Sequence, residues 1–176
     1  MTDLSRAFSY YDAGTANRYR SDIYSVPEGY VGKISTINAP SISLSSVTTL
    51  YEFAYSSDIT ELPSLTNFPN VTNAAMIFAN CDKLTTIPAN IFNGNTKITD
   101  LSSAFYGCTG VTSSIGNMLS KLTNLETILG MFYNCSIKGT IPKGFFVNNK
   151  KLTNAKCAFY LSGITGVQPL FHNSSN

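Results

Sequence analysis

The chain has 176 residues, a formal net charge of +2, 12% charged side chains, four cysteines and one histidine. That length suits one domain with a continuous core. The low, scattered charge argues against a disordered chain and against the cationic patch that nucleic acid requires.

No run nears the roughly 20 apolar residues of a membrane span, so no membrane insertion is expected. The opening MTDLSRAFSYYDAG lacks the basic and apolar regions of a secretory signal. The expectation is a chain made and assembled in a cytoplasm, or one whose targeting segment has been removed.

Residues 1–32 read as an irregular Tyr-rich segment, a cap or attachment, with Tyr10, Tyr11, Tyr19, Tyr24 and Tyr30. Its first residues are different: Thr2–Phe8 copies Thr99–Phe105 at six of seven positions, Arg6 replacing Ser103. Residues 33–176 read as a repeat array. Phe53, Phe78, Phe105, Phe132 and Phe159 recur at steps of 25, 27, 27 and 27 residues. Three residues after the middle three stand Cys81, Cys108 and Cys135, and ten after four of the five stand Pro63, Pro88, Pro142 and Pro169. A period in the twenties with fixed apolar columns predicts an α/β solenoid. Its expected form is a leucine-rich-repeat-like right-handed coil of about six 25–27-residue turns, each with one short parallel strand and one short helix.

The strands are expected from Ile34, Ile59, Leu84, Val111, Ile137 and Ile164, in short Thr-rich, β-branched runs such as Lys83–Ile87. A following proline ends each by removing a ladder donor. The helices are expected around the phenylalanines: Leu101, Phe105 and Cys108 are spaced four then three, which places them on one helix face. Ala74, Phe78 and Cys81 repeat the spacing, as do Ile128, Phe132 and Cys135. Thr72, Thr99 and Thr153, six before their anchors, would cap these helices. Asn93, Asn95, Asn148 and Asn149 read as turn formers. The array opens and stops on repeat fragments, so truncation from a longer array, or docking against another subunit, is expected.

Cys81, Cys108 and Cys135 share one repeat position and are expected to pack as buried free thiols, since a column of three cannot pair completely. Cys157, two residues before Phe159, would point about 160° from the helix core face and be exposed. His172 is alone, so a catalytic triad or a histidine metal site has nothing to draw on. The carboxylates are dispersed, and no phosphate-binding glycine loop is present. No enzyme, metal or cofactor is expected. The residues that look suited to binding are Tyr106, Tyr133 and Tyr160, each following an anchor phenylalanine. Stacked tyrosines offer flat apolar faces with polar tips, which suit sugars or a protein partner. A tyrosine ladder that only seals the structure is the competing reading.

The columns Phe105-x-x-Cys108-x-x-Val111 and Phe78-x-x-Cys81-x-x-Leu84-x-x-Ile87-Pro88 resemble the BspA-like, or Treponema-type, leucine-rich repeats. Leu125–Pro142 and Leu152–Pro169 resemble the longer variant found in Bacteroidales surface proteins and in their phages' fibre proteins. The resemblance implies an adhesive, non-enzymatic module displayed outward on a virion or bacterial cell surface, binding a cell-surface glycan or protein. The absence of an export signal favours the virion. The alternative is a structural assembly subunit whose open ends stack on other virion or surface subunits.

Overall fold

The computed structural model describes residues 44–167. The Tyr-rich segment, the strand expected at Ile34, and Pro169 and His172 lie outside the described residues.

The expected leucine-rich-repeat-like α/β solenoid, with one strand and one helix in each of about six turns, is not what the described residues form. They contain no α-helix and two short strands, β1 (Lys138–Ile141) and β2 (Gly163–Val167). These pair in parallel, Lys138 with Gly163 and Ile141 with Val167, with a bulge after Gly139. The runs expected as strands at Ile59, Leu84 and Val111 bury their first residue but form no ladder. Single bonds replace it there: Thr112 N–H donates to the Thr85 carbonyl, and Ile87 N–H to the Ser113 hydroxyl.

Where helices were expected, the backbone forms rungs that bond to one another. Isolated parallel bridges join Thr49 to Asn73, Asn73 to Asp100, Asp100 to Thr127 and Thr127 to Asn154. Beyond each bridge, alternate amides donate to the next rung. In the rung starting at Asp100, the N–H groups of Leu101, Ser103, Phe105 and Gly107 donate to the carbonyls of Thr127, Leu129, Met131 and Tyr133. The intervening amides turn back three residues, Ala104 to Leu101 and Tyr106 to Ser103. An α-helix would direct all of these amides to the fourth residue back along the same segment. Every fourth residue is left-handed instead, with φ of 53° at Ser103 and 68° at Gly107. The same pair of positions is Met76 and Asn80 one rung earlier, and Gly130 and Asn134 one rung later.

The cap expected of the threonines also falls elsewhere. Thr72, Thr99 and Thr153 hydroxyls donate to the carbonyls of Thr48, Thr72 and Glu126 in the preceding rung. The capping is done by the bridge residues themselves. Thr49, Asn73, Asp100, Thr127 and Asn154 each accept, on a side-chain oxygen, the N–H two residues on. Short polar side chains do this because the acceptor lies within reach of their own backbone.

The core is continuous along the stack. Phe78, Phe105 and Phe132 are wholly buried, their rings parallel to within 24° at centroid spacings of 5.8 and 5.6 Å. Phe159 continues the stack 5.6 Å beyond Phe132 and is half-buried. Phe53 is buried outside this stack. The first bridge spans 24 residues, so Ala54 and not Phe53 stands in register with Phe78. Phe53 packs edge-on against Phe68 at 6.2 Å.

Two of the presumed turn formers sit inside. Asn95 Nδ2 donates to the carbonyls of Leu65 and Phe68, and Asn149 Nδ2 to those of Leu119 and Leu122. Each staples a carbonyl pair of the preceding repeat, which burial would otherwise leave unsatisfied.

Candidate functional site

Each tyrosine of the candidate column is fixed at both ends of its peptide unit. Tyr106, Tyr133 and Tyr160 N–H groups turn back to Ser103, Gly130 and Cys157. Their carbonyls accept from Asn80, Gly107 and Asn134 in the preceding rung. The rings therefore follow the rung spacing: Tyr106 and Tyr133 lie 5.1 Å apart at 14°, Tyr133 and Tyr160 5.2 Å apart at 36°. Tyr106 is 36% and Tyr160 56% exposed, with Tyr133 half-buried between them. The outward placement arises from the alternating rung, not from the helical rotation expected of it. In these three rungs the residue after Phe105, Phe132 and Phe159 turns its side chain away from the phenylalanine stack.

The structure brings these three rings together and extends the column in one respect the sequence reading missed. With the 24-residue first step, the counterpart of Ala79 is Tyr55. Its hydroxyl accepts from Asn80 Nδ2 at 2.9 Å. The column thus reads Tyr55, Ala79, Tyr106, Tyr133, Tyr160. Exposed Leu129 and Leu161, at 39% and 63%, add apolar area in the same rungs. Glycine at 107 and 130 keeps the positions beside the rings small. A side chain at Gly107 would strike Asn80 Oδ1, and one at Gly130 would come within 3.8 Å of Tyr133 Cβ.

The cysteine column lies on the opposite, inner side. Cys81, Cys108 and Cys135 are buried and unpaired in disulfides, while Cys157 is exposed. Cys81 and Cys108 thiols donate to the carbonyls of Ala54 and Phe78 at 3.1 Å. At the ends of the column stand serines, whose hydroxyls donate within their own rung instead, Ser57 to Ala54 and Ser162 to Phe159. Burial pushes the Cys108 thiol well above its ordinary pKa, with the neighbouring Cys81 and Cys135 adding to it. Burial likewise pushes Cys135 up to about 12. Raised pKa and enclosure make Cys108 and Cys135 unreactive, and burial alone shields Cys81. A thiol reagent under native conditions is expected to label Cys157 quickly and the other three only on unfolding. Labelling counted by mass spectrometry checks this, and two or more fast sites would contradict the burial.

Asp100, one of the dispersed carboxylates, is engaged through Oδ1 with Ser102 N–H at 2.7 Å. Among the described residues no three His, Cys, Asp or Glu side chains converge as a metal site. No helix among them is long and apolar enough to cross a membrane.

No family model, curated protein or solved structure shows significant similarity to the chain.

Proposed function

We propose that this chain is a non-enzymatic recognition module whose tyrosine column binds a glycan or protein on a cell surface. The observation that carries the reading is the evenly spaced column of Tyr106, Tyr133 and Tyr160, with Tyr106 and Tyr160 exposed and Tyr133 half-buried between them. Rings whose backbones are bonded on both sides lose little freedom on binding, so contact with a flat apolar partner retains most of its free energy. The phenol tips supply hydrogen bonds at the margin. The resemblance of the Phe-x-x-Cys columns to BspA-like repeats supports display on a phage fibre or bacterial surface. A second reading, a structural subunit that stacks on others, is favoured by a row of amides at one end of the stack that finds no acceptor among the described residues.

Replacing Tyr106, Tyr133 and Tyr160 together by Ala is expected to weaken binding by about 2 kcal/mol or more, roughly thirty-fold. The stability loss should be smaller than that of removing one buried phenylalanine. A glycan array and host-cell binding, run with wild type beside the triple variant, check this alongside a melting curve. Equal binding by two folded proteins would assign the column to structure alone.

A further inference from the structure

The last described rung, residues 154–162, differs from the four before it in one respect. Every earlier rung sends four alternate amides to carbonyls of the next. In the last, the corresponding N–H groups are those of Ala155, Cys157, Phe159 and Leu161, and none of the described residues accepts from them. Ala155, Cys157 and Leu161 are exposed, and Phe159 is half-buried where Phe132 is wholly buried. Beside this row, β2 has a single sheet neighbour, β1. Among the described residues, this end of the stack therefore presents four parallel donors, one partly exposed face of Phe159 and a strand edge. Such an edge is a template for pairing.

Its occupant is specified by what fills the same row elsewhere in the chain. Ala74, Met76, Phe78 and Asn80 donate to the carbonyls of Asp100, Ser102, Ala104 and Tyr106, and Phe105 stacks on Phe78. That acceptor segment, Thr99–Phe105, is the one that Thr2–Phe8 copies at six of seven positions. In the sequence, Asp3, Ser5, Ala7 and Ser9 correspond to Asp100, Ser102, Ala104 and Tyr106, and Phe8 corresponds to Phe105.

We infer that residues 2–9 of a second copy of this chain dock on the amide row of Ala155, Cys157, Phe159 and Leu161, joining copies head to tail. Phe8 of one copy continues the phenylalanine stack beyond Phe159 of the other. Ser9 falls in the tyrosine column, so that column ends at each junction. The contact is heterologous, so each added copy offers the same amide row again and association continues beyond a dimer as concentration rises. This inference rests on the assembly reading above and is independent of whether the tyrosines bind a ligand.

The test is sedimentation velocity on the full chain over a wide concentration range, with and without a synthetic peptide of residues 1–11. The expected result is a mass that climbs from one chain, 19.1 kDa, past two, and falls back when the peptide is added. Ala155→Pro removes one donor of the row, and Phe8→Asp introduces a charge into the stack. Each variant should remain one chain at concentrations where wild type associates, with an unchanged circular dichroism spectrum. A single-chain mass at every concentration would overturn the inference. So would association that neither the peptide nor folded Phe8→Asp reduces, because the contact would then lie elsewhere. Since the peptide acts on the unaltered chain, the test stands even where a variant fails to fold. Loss of association in Phe8→Asp with glycan or cell binding retained would separate this contact from the tyrosine face.

Discussion

Replacing Phe105 by Ala is expected to destabilise the protein by about 3–5 kcal/mol. Its ring is wholly buried between those of Phe78 and Phe132, at 5.8 and 5.6 Å, and touches Phe92 from the side at 6.2 Å. The backbone around it cannot collapse into the space, because Phe105 N–H is bonded to Met131 and its carbonyl to Cys108 N–H. The cavity thus stays open and adds its own cost to the lost transfer energy. Phe132→Ala should behave alike. Phe159→Ala should cost less, since that ring has a stacked neighbour on one side and is half-buried. Denaturant unfolding measures all three, and a loss under about 1 kcal/mol at Phe105 would contradict the stack.

Gly107→Ala is the second substitution with a large expected effect, and its sign discriminates between backbones. In a helix interior, replacing glycine by alanine stabilises by about 1 kcal/mol. Here Gly107 has φ of 68°, and a Cβ would strike Asn80 Oδ1. Left-handed backbone costs alanine about 1 kcal/mol or more. Displacing Asn80 also strains its bond to the Tyr55 hydroxyl. The expected change is a loss of about 1–3 kcal/mol. Ser103→Gly, at the other left-handed position of the same rung, should be neutral or mildly stabilising. Comparing the two by denaturant melting separates the rung from a helix: a stabilising Gly107→Ala would contradict it.

The apolar columns were legible because a repeat fixes which side chains meet, whatever backbone carries them. Leu101, Phe105 and Cys108 are all buried, as their recurrence suggested. The backbone was misread because a spacing of four then three is shared by a helix and by a rung with a left-handed residue every fourth position. A signal against the helix was present. Two residues after Phe78, Phe105 and Phe132 come Asn80, Gly107 and Asn134, the residue types that best tolerate positive φ, though Leu161 after Phe159 breaks the pattern. Met76, Ser103 and Cys157 gave no such warning, since nothing in their chemistry favours that conformation. The strands were over-read for a related reason. Thr-rich runs before proline suit an extended path, yet at Ile59, Leu84 and Val111 too few amides face the neighbouring repeat to make a ladder.

The candidate face was legible as a column and not as a surface. Tyr106, Tyr133 and Tyr160 follow from the period alone. Tyr55 was hidden by counting from Phe53, because the shorter first step is visible only in the Thr49–Asn73 bridge. The buried role of Asn95 and Asn149 was hidden too. A turn-forming asparagine and one that staples two carbonyls look the same in a sequence, and the alternate repeats carry Phe68 and Leu122 in their place.

The central claim is that the phenylalanine segments bond across the stack and not along themselves. Scalar coupling through hydrogen bonds, measured by nuclear magnetic resonance on isotope-labelled protein, reads this one bond at a time. The amide of Phe105 is predicted to couple to the carbonyl carbon of Met131, whose oxygen lies 2.9 Å from it. Coupling of that amide to Leu101, four residues back as in a helix, would contradict the account.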